Sequence, residues 1–316
     1  MCFDLDSRPP IEPIAGGALD SEEIVLRAGD GGRFAALLAR AEKPSGAAII
    51  VLPDVRGLHP YYEELALRFA EAGVDALAID YFGRSAGIGI RERPTDFDFM
   101  SHVGETRFSN LSWDVQAAAE MLRGLGAGSA AGGAAGGAAG GAAGGAAGGA
   151  AGGAAGSAAG GAAGALGGNS GGAAGGAAGD NSGGAPRRER AVFTIGFCFG
   201  GRLAFLANTL GLDLAGSIGF YGWPVGSRGD IPAPADSTGL MTAPVLGIFG
   251  GADKGIPPEA VETFRDALAA TGIPHEVVSY PAAPHSFFDR KAEDFASASA
   301  DAWERVLAFI RTNTPA

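Results

Sequence analysis

Cysteine is nearly absent from this chain: Cys2 and Cys198 are the only two among 316 residues. One of them sits at the extreme terminus, so a disulfide framework is excluded and a reducing compartment fits. Histidine is scarce as well, at four residues, which makes the position of each one informative. Positive charge is in deficit, with 23 Lys and Arg against 35 Asp and Glu and a net charge of −12. Nucleic acid and anionic membrane are thereby excluded as principal partners, because both demand a basic face. No apolar run reaches the roughly 18 residues of a membrane span. Residues 1–6 lack the basic stretch and apolar run of a secretory signal. The expected setting is cytoplasmic.

What the chain has in excess is glycine, 55 residues. Most of that excess falls in 124–186, where Gly-Gly-Ala-Ala units repeat every four residues. Each glycine costs about 1 kcal/mol relative to alanine in a helix, and the three-residue period of a collagen-like strand is missing. The segment reads as a flexible low-complexity insert. Residues 1–22, rich in Pro and Gly, read as an arm, and 23–316 as a single domain interrupted by the insert. Roughly 250 residues remain when the insert is set aside, enough for one α/β domain to bury a full core.

Strand and helix signals alternate along that remainder. Residues 24–27 and 33–39 flank Gly29-Asp30-Gly31-Gly32 and predict a hairpin. The unbroken apolar run 47–52 predicts a strand buried on both faces. Helical spacing over 61–72 and 111–122 encloses a strand at 74–79, with Trp113, Val115, Ala118, Met121 and Leu122 offered to the core. Strands at 191–196, 214–221, 245–249 and 275–280 then alternate with helices at 200–210, 257–270 and 292–312. This order predicts a doubly wound α/β fold with a mostly parallel sheet. The insert follows a helix and precedes a strand, so it should leave the sheet at the end opposite an active site, and should not be a lid.

The sharpest motif is Gly196-Phe197-Cys198-Phe199-Gly200-Gly201, after an apolar strand and before a helix. It is a nucleophile-elbow pattern with cysteine where serine is usual. Small flanking residues permit a strained turn that exposes the central side chain. The helix N-terminus beyond it favours a thiolate. Such a nucleophile needs a base and a group that orients the base, in the chain order nucleophile, acid, histidine. Asp253 follows the strand 245–249, and His285 follows the strand 275–280. His59 and His102 precede the elbow, and His275 opens a strand, so none of these fits the order. The oxyanion donors expected are the backbone N–H groups of Phe199 and of Val55, in the loop after 47–52.

With these residues in place the sequence resembles the dienelactone hydrolase family of the α/β-hydrolase superfamily. The elbow, Gly250-Gly251-Ala252-Asp253 and Pro284-His285-Ser286-Phe287-Phe288 match its motifs in order. The resemblance implies hydrolysis of an enol-lactone or related ester by a Cys-His-Asp triad, without metal or organic cofactor. It further implies an acid that contacts the thiol, usually glutamate, whose place Asp54 takes with one methylene fewer. It also implies arginines for a substrate carboxylate: Arg84 matches one, and Arg290 stands near the second, one residue late. Arg56 is a possible substitute.

Trp113 and Trp303 fall on helices and are expected in the core. Trp223 follows a strand at the active-site edge and is a candidate for the substrate pocket. Two other readings stay open: a carboxylesterase or thioesterase using the same triad on another small ester, and a non-catalytic binding protein of this fold.

Overall fold

The computed structural model describes residues 7–125 and 190–315. Cys2 and the expected flexibility of the insert lie outside the described residues. Among those described, eight strands form one sheet in the order β1-β2-β4-β3-β5-β6-β7-β8. The strands are β1 (Ala18–Arg27), β2 (Arg33–Ala41), β3 (Ala47–Leu52), β4 (Asp75–Ile79), β5 (Ala191–Phe197), β6 (Gly216–Phe220), β7 (Val245–Gly250) and β8 (His275–Tyr280). Within this sheet only β2 runs antiparallel to its neighbours, β1 and β4. All its other pairings are parallel, as the strand–helix alternation requires.

Six helices of the described residues cover the sheet: α1 (Pro60–Glu71), α2 (Phe99–Glu105), α3 (Phe108–Leu125), α4 (Phe199–Ala207), α5 (Pro258–Thr271) and α6 (Ala296–Asn313). The fully buried strand β3 shows how both faces are used. Ile49 and Val51 pack into an apolar layer with Tyr62, Leu65 and Phe69 of α1 and Val306 of α6. Ala48, Ile50 and Leu52 pack into a second layer with Val115 and Leu122 of α3 and Leu203 of α4. A strand with no solvent face must be apolar throughout, which is the reason for the run AAIIVL. Among the described residues no helix is long and apolar enough to cross a membrane.

The structure departs from the sequence-based expectation in three places. The first strand begins at Ala18, not at 24. Its acidic start, Asp20 and Glu22, hides it from a hydrophobicity pattern, yet both carboxylates pair across the edge with Arg40 of β2. Helix α2 goes unseen because it is short; its start is marked by Asp98, which accepts the Ser101 backbone N–H and its hydroxyl. Trp113 does not enter the core. It is 42% exposed, and its ring lies against Gly29 in the β1–β2 turn, where a Cβ would approach it to 2.9 Å. Trp303 is partly buried against the core and packs on Phe69 at 4.8 Å between ring centroids.

The chain order reverses direction across the sheet between β3 and β5, the crevice where ligands gather in doubly wound sheets. Leu52 pairs with Gly196, and Phe197 with Phe220. The segments that follow β3, β5 and β6 therefore leave the sheet side by side. Gly250 pairs with Tyr280, which brings the segments after β7 and β8 out at the same end.

Candidate active site

Strand β5 runs into α4 through one residue, Cys198, whose backbone sits at φ 54° and ψ −113°. That conformation is costly for a non-glycine residue and persists only where the surroundings enforce it. Here they do so by close approach. A Cβ on Gly196 would come within 2.0 Å of the Gly200 carbonyl, and one on Gly200 within 2.1 Å of the Leu52 and Pro53 carbonyls. The Cys198 N–H donates to Phe220 O at 3.0 Å, and the Arg202 N–H to Cys198 O at 3.2 Å. The turn leaves Cys198 partly exposed at the top of the sheet.

Cys198 borders a cavity of about 380 Å³ whose wall also includes Val55, Phe199, Tyr221, Trp223 and His285. His285 Nδ1 lies 2.6 Å from Asp253 Oδ2. A carboxylate only accepts, so Nδ1 carries the hydrogen and Nε2 is left to handle a proton. The other Asp253 oxygen accepts the backbone N–H groups of Gly255 at 2.8 Å and Ile256 at 3.2 Å. Asp253 is thus buried and held at both oxygens. Tyr221 packs against the His285 ring at 4.9 Å. The remaining three histidines are occupied elsewhere. His59 Nδ1 meets Gly57 O, His102 Nδ1 meets Ser85 Oγ, and His275 Nδ1 meets Ile273 O.

Val55 and Phe199, the expected oxyanion donors, both border the cavity. The loop that carries Val55 is fixed from below. Tyr81 Oη donates to the carbonyls of Pro53 and Asp54, and the Asp54 N–H donates to Tyr62 Oη. Burial pushes both phenols well above their ordinary range, so they remain hydroxyls.

Asp54 is buried, and its carboxylate is engaged by Arg56. The Arg56 Nε lies 3.0 Å from each oxygen and Nη2 lies 2.7 Å from Oδ2. Arg56 also pairs with Asp289, four residues beyond His285. Burial opposes the Arg56 charge, but Asp54 and Asp289 beside it carry its affinity for the proton upward. Asp54 and Arg56 are therefore each other's partners beneath the oxyanion loop, and neither belongs to the wall of the Cys198 cavity.

The expected substrate arginines are not brought to Cys198. Arg84 lines a separate cavity with Glu105 and Asp114, and forms ion pairs of 2.8 Å to Asp30 and 2.7 Å to Asp114. Arg290 is half-buried and absent from the wall beside Cys198. The cations that do reach this cavity are Arg202 and Arg228, which sequence reasoning missed. Arg228 is exposed, with its guanidinium 5.5 Å from the centroid of the Phe199 ring. Among the described residues no carboxylate pairs with it. The available signal was that 221–234 follows a central strand at the active-site end, which made any cation there a candidate.

Comparison with known proteins bears on family and fold. The family model described as "Dienelactone hydrolase family" matches residues 34–149 and 185–314. A provisionally named carboxymethylenebutenolidase of Escherichia coli O157:H7 is 36% identical over 119 residues, which are 37% of this chain and 44% of that protein. One from Salmonella typhimurium strain LT2 is 41% identical over 115 residues, 35% of this chain and 43% of that protein. The matches thus span less than half the length of these relatives. A dienelactone hydrolase-like promiscuous phosphotriesterase from metagenomic libraries superposes with TM-score 0.61 at 18% identity, covering 95% of this chain and 100% of the other. The Pyrococcus horikoshii acylaminoacyl peptidase gives 0.62 at 12% identity, covering 95% of this chain and 43% of the other. At such identities the likeness is one of fold, here the α/β-hydrolase fold.

Proposed function

This chain belongs to the dienelactone hydrolase family, and from that premise we propose that it hydrolyses a small enol-lactone or related ester through Cys198, His285 and Asp253. The observation that carries the proposal is the elbow itself: a strained Cys198 shares one cavity with a histidine already hydrogen-bonded to a buried carboxylate. In the first step Cys198 Sγ, its proton passed to His285, attacks the carbonyl carbon. The oxyanion that forms is met by the N–H groups of Phe199 and Val55. The C–O bond then breaks and His285 returns the proton to the departing oxygen. Water, deprotonated by His285, attacks the thioester carbonyl, and the thiol is released with the acid product. Asp253 holds the imidazole in the required tautomer and balances its charge while it is protonated.

Trp223 supplies an apolar face to the substrate, and Arg228 supplies a cation for an acidic substituent. Asp54 serves as the counter-ion of Arg56. A cytoplasmic, reducing setting belongs to the same proposal, because the thiol must stay reduced to act. A second reading is favoured by one observation: neither Arg84 nor Arg290 borders the cavity, so the substrate can be an ester or thioester other than a dienelactone. A panel of cyclic dienelactones, para-nitrophenyl esters and acyl thioesters separates the two. Cys198→Ala should abolish turnover of every substrate while the circular dichroism spectrum and melting temperature stay close to those of the parent. Retained turnover in that variant would remove Cys198 from the mechanism.

A further inference from the structure

We infer that Arg202 is a positioning residue that holds residues 223–232 as the substrate-selecting wall of the Cys198 cavity. The inference rests on the hydrolase reading above and adds how that site chooses among substrates.

Residues 223–232 contain five of the residues that border the cavity: Trp223, Val225, Gly226, Ser227 and Arg228. They form neither helix nor extended strand, only a two-residue bridge between Arg228 and Ile231. A segment of this kind needs its backbone carbonyls satisfied from outside, and one side chain does most of that here. Arg202 Nη1 lies 3.3 Å from Trp223 O and 3.4 Å from Val225 O. Its Nη2 lies 2.6 Å from Gly226 O, 3.2 Å from Ile231 O and 2.6 Å from Pro232 O. The planar fork of a guanidinium meets carbonyls converging from both ends of the loop in a way that the point charge of lysine does not.

The cost of this arrangement indicates its purpose. Arg202 is 4% exposed, and among the described residues no carboxylate pairs with it. Burial, with Arg228 nearby, pushes it down to about 10, still protonated at neutral pH. A buried cation without a counter-ion persists only where dipoles replace its water. The carbonyls of 223–232 are those dipoles. The same residue stands in the first turn of α4, its own N–H on Cys198 O. One side chain therefore ties the position of the wall to the position of the nucleophile.

The test compares Arg202→Lys and Arg202→Met with the parent on two substrates. Para-nitrophenyl acetate reaches Cys198 without filling the wall, whereas para-nitrophenyl hydrogen succinate extends toward Trp223 and Arg228. Both variants should raise KM for the succinate ester at least about fivefold more than KM for the acetate. Trp223→Ala should reproduce the selective rise in KM. Combined with Arg202→Lys it should add less than the product of the two effects, because both act on one wall. An unchanged KM ratio between the substrates would overturn the inference. So would an equal fall in kcat for both, or insolubility of both Arg202 variants, since the residue would then serve the fold and not selection. Turnover that survives Cys198→Ala removes the underlying reaction instead. Cys198-dependent turnover with unaltered selectivity removes only the role of Arg202.

Discussion

Asp253 and Asp114 are both buried carboxylates beside a basic side chain, and their surroundings suit them to different ends. Asp253 receives His285 on one oxygen and two backbone N–H groups on the other. Asp253→Asn keeps a backbone-accepting oxygen but presents the wrong partner to Nδ1. It should lower kcat by roughly 10²- to 10⁴-fold with little change in melting temperature, as steady-state kinetics and thermal denaturation would show. Asp114 is raised to about 6, chiefly by burial, with Arg84 pulling the other way. Its unfolded value is near 3.9, so between these two values the folded state binds more protons, and stability falls as pH rises. Asp114→Asn should flatten that dependence, with a difference from the parent on the order of 1–2 kcal/mol. Urea unfolding at about pH 4 and about pH 7 measures it. A parent as flat as the variant would contradict the assignment.

At the scale of elements, loops at the ends of parallel strands have no ladder of their own, so side chains must fix them. The loop after β3 and the loop after β8 are joined through Arg56, which bridges Asp54 and Asp289. Tyr61 Oη adds a bond of 2.5 Å to Phe288 O. These contacts set Val55 and His285 relative to each other across the cavity. Arg56→Met strands two buried carboxylates and should cost about 3–5 kcal/mol, read from the urea midpoint. Because Val55 and His285, the proposed oxyanion donor and base, are then less well held, kcat should fall more than KM rises. Arg56→Lys, which keeps a charge between the two carboxylates, should recover part of the stability.

For the whole molecule, the decisive relation is which end of the sheet each segment occupies. Helix α3 ends at Leu125, and the described chain resumes at Arg190, which pairs with buried Asp75 just ahead of β5. Cys198 stands beyond the other end of that strand, eight residues after Arg190, roughly 26 Å away at the rise of an extended chain. Replacing 126–184 by a short Gly-Ser linker should therefore leave kcat and KM within about twofold, as steady-state assays on both proteins would show. A larger loss would assign those residues to the reaction. The same geometry separates what is legible in the amino-acid sequence from what is not. The elbow, the acid and the histidine are legible because each is a local signal: a strained turn between strand and helix, or a side chain just past a strand end. Strand–helix alternation likewise follows from periodicity and makes a parallel sheet nearly obligatory. The partners of the arginines are not legible. Arg84 is claimed by Asp30 and Asp114, and Arg56 by Asp54 and Asp289, carboxylates contributed in three of these four pairs by distant segments of the chain. Which charges are neutralised and which face a substrate depends on what the fold packs beside them. Sequence by itself determined the elbow at Cys198, the strand ends that carry Asp253 and His285, and the sheet; only the tertiary structure decided that Arg202 and Arg228 border the cavity. The reason is that backbone strain and periodicity act over a few residues, whereas electrostatic pairing acts through space.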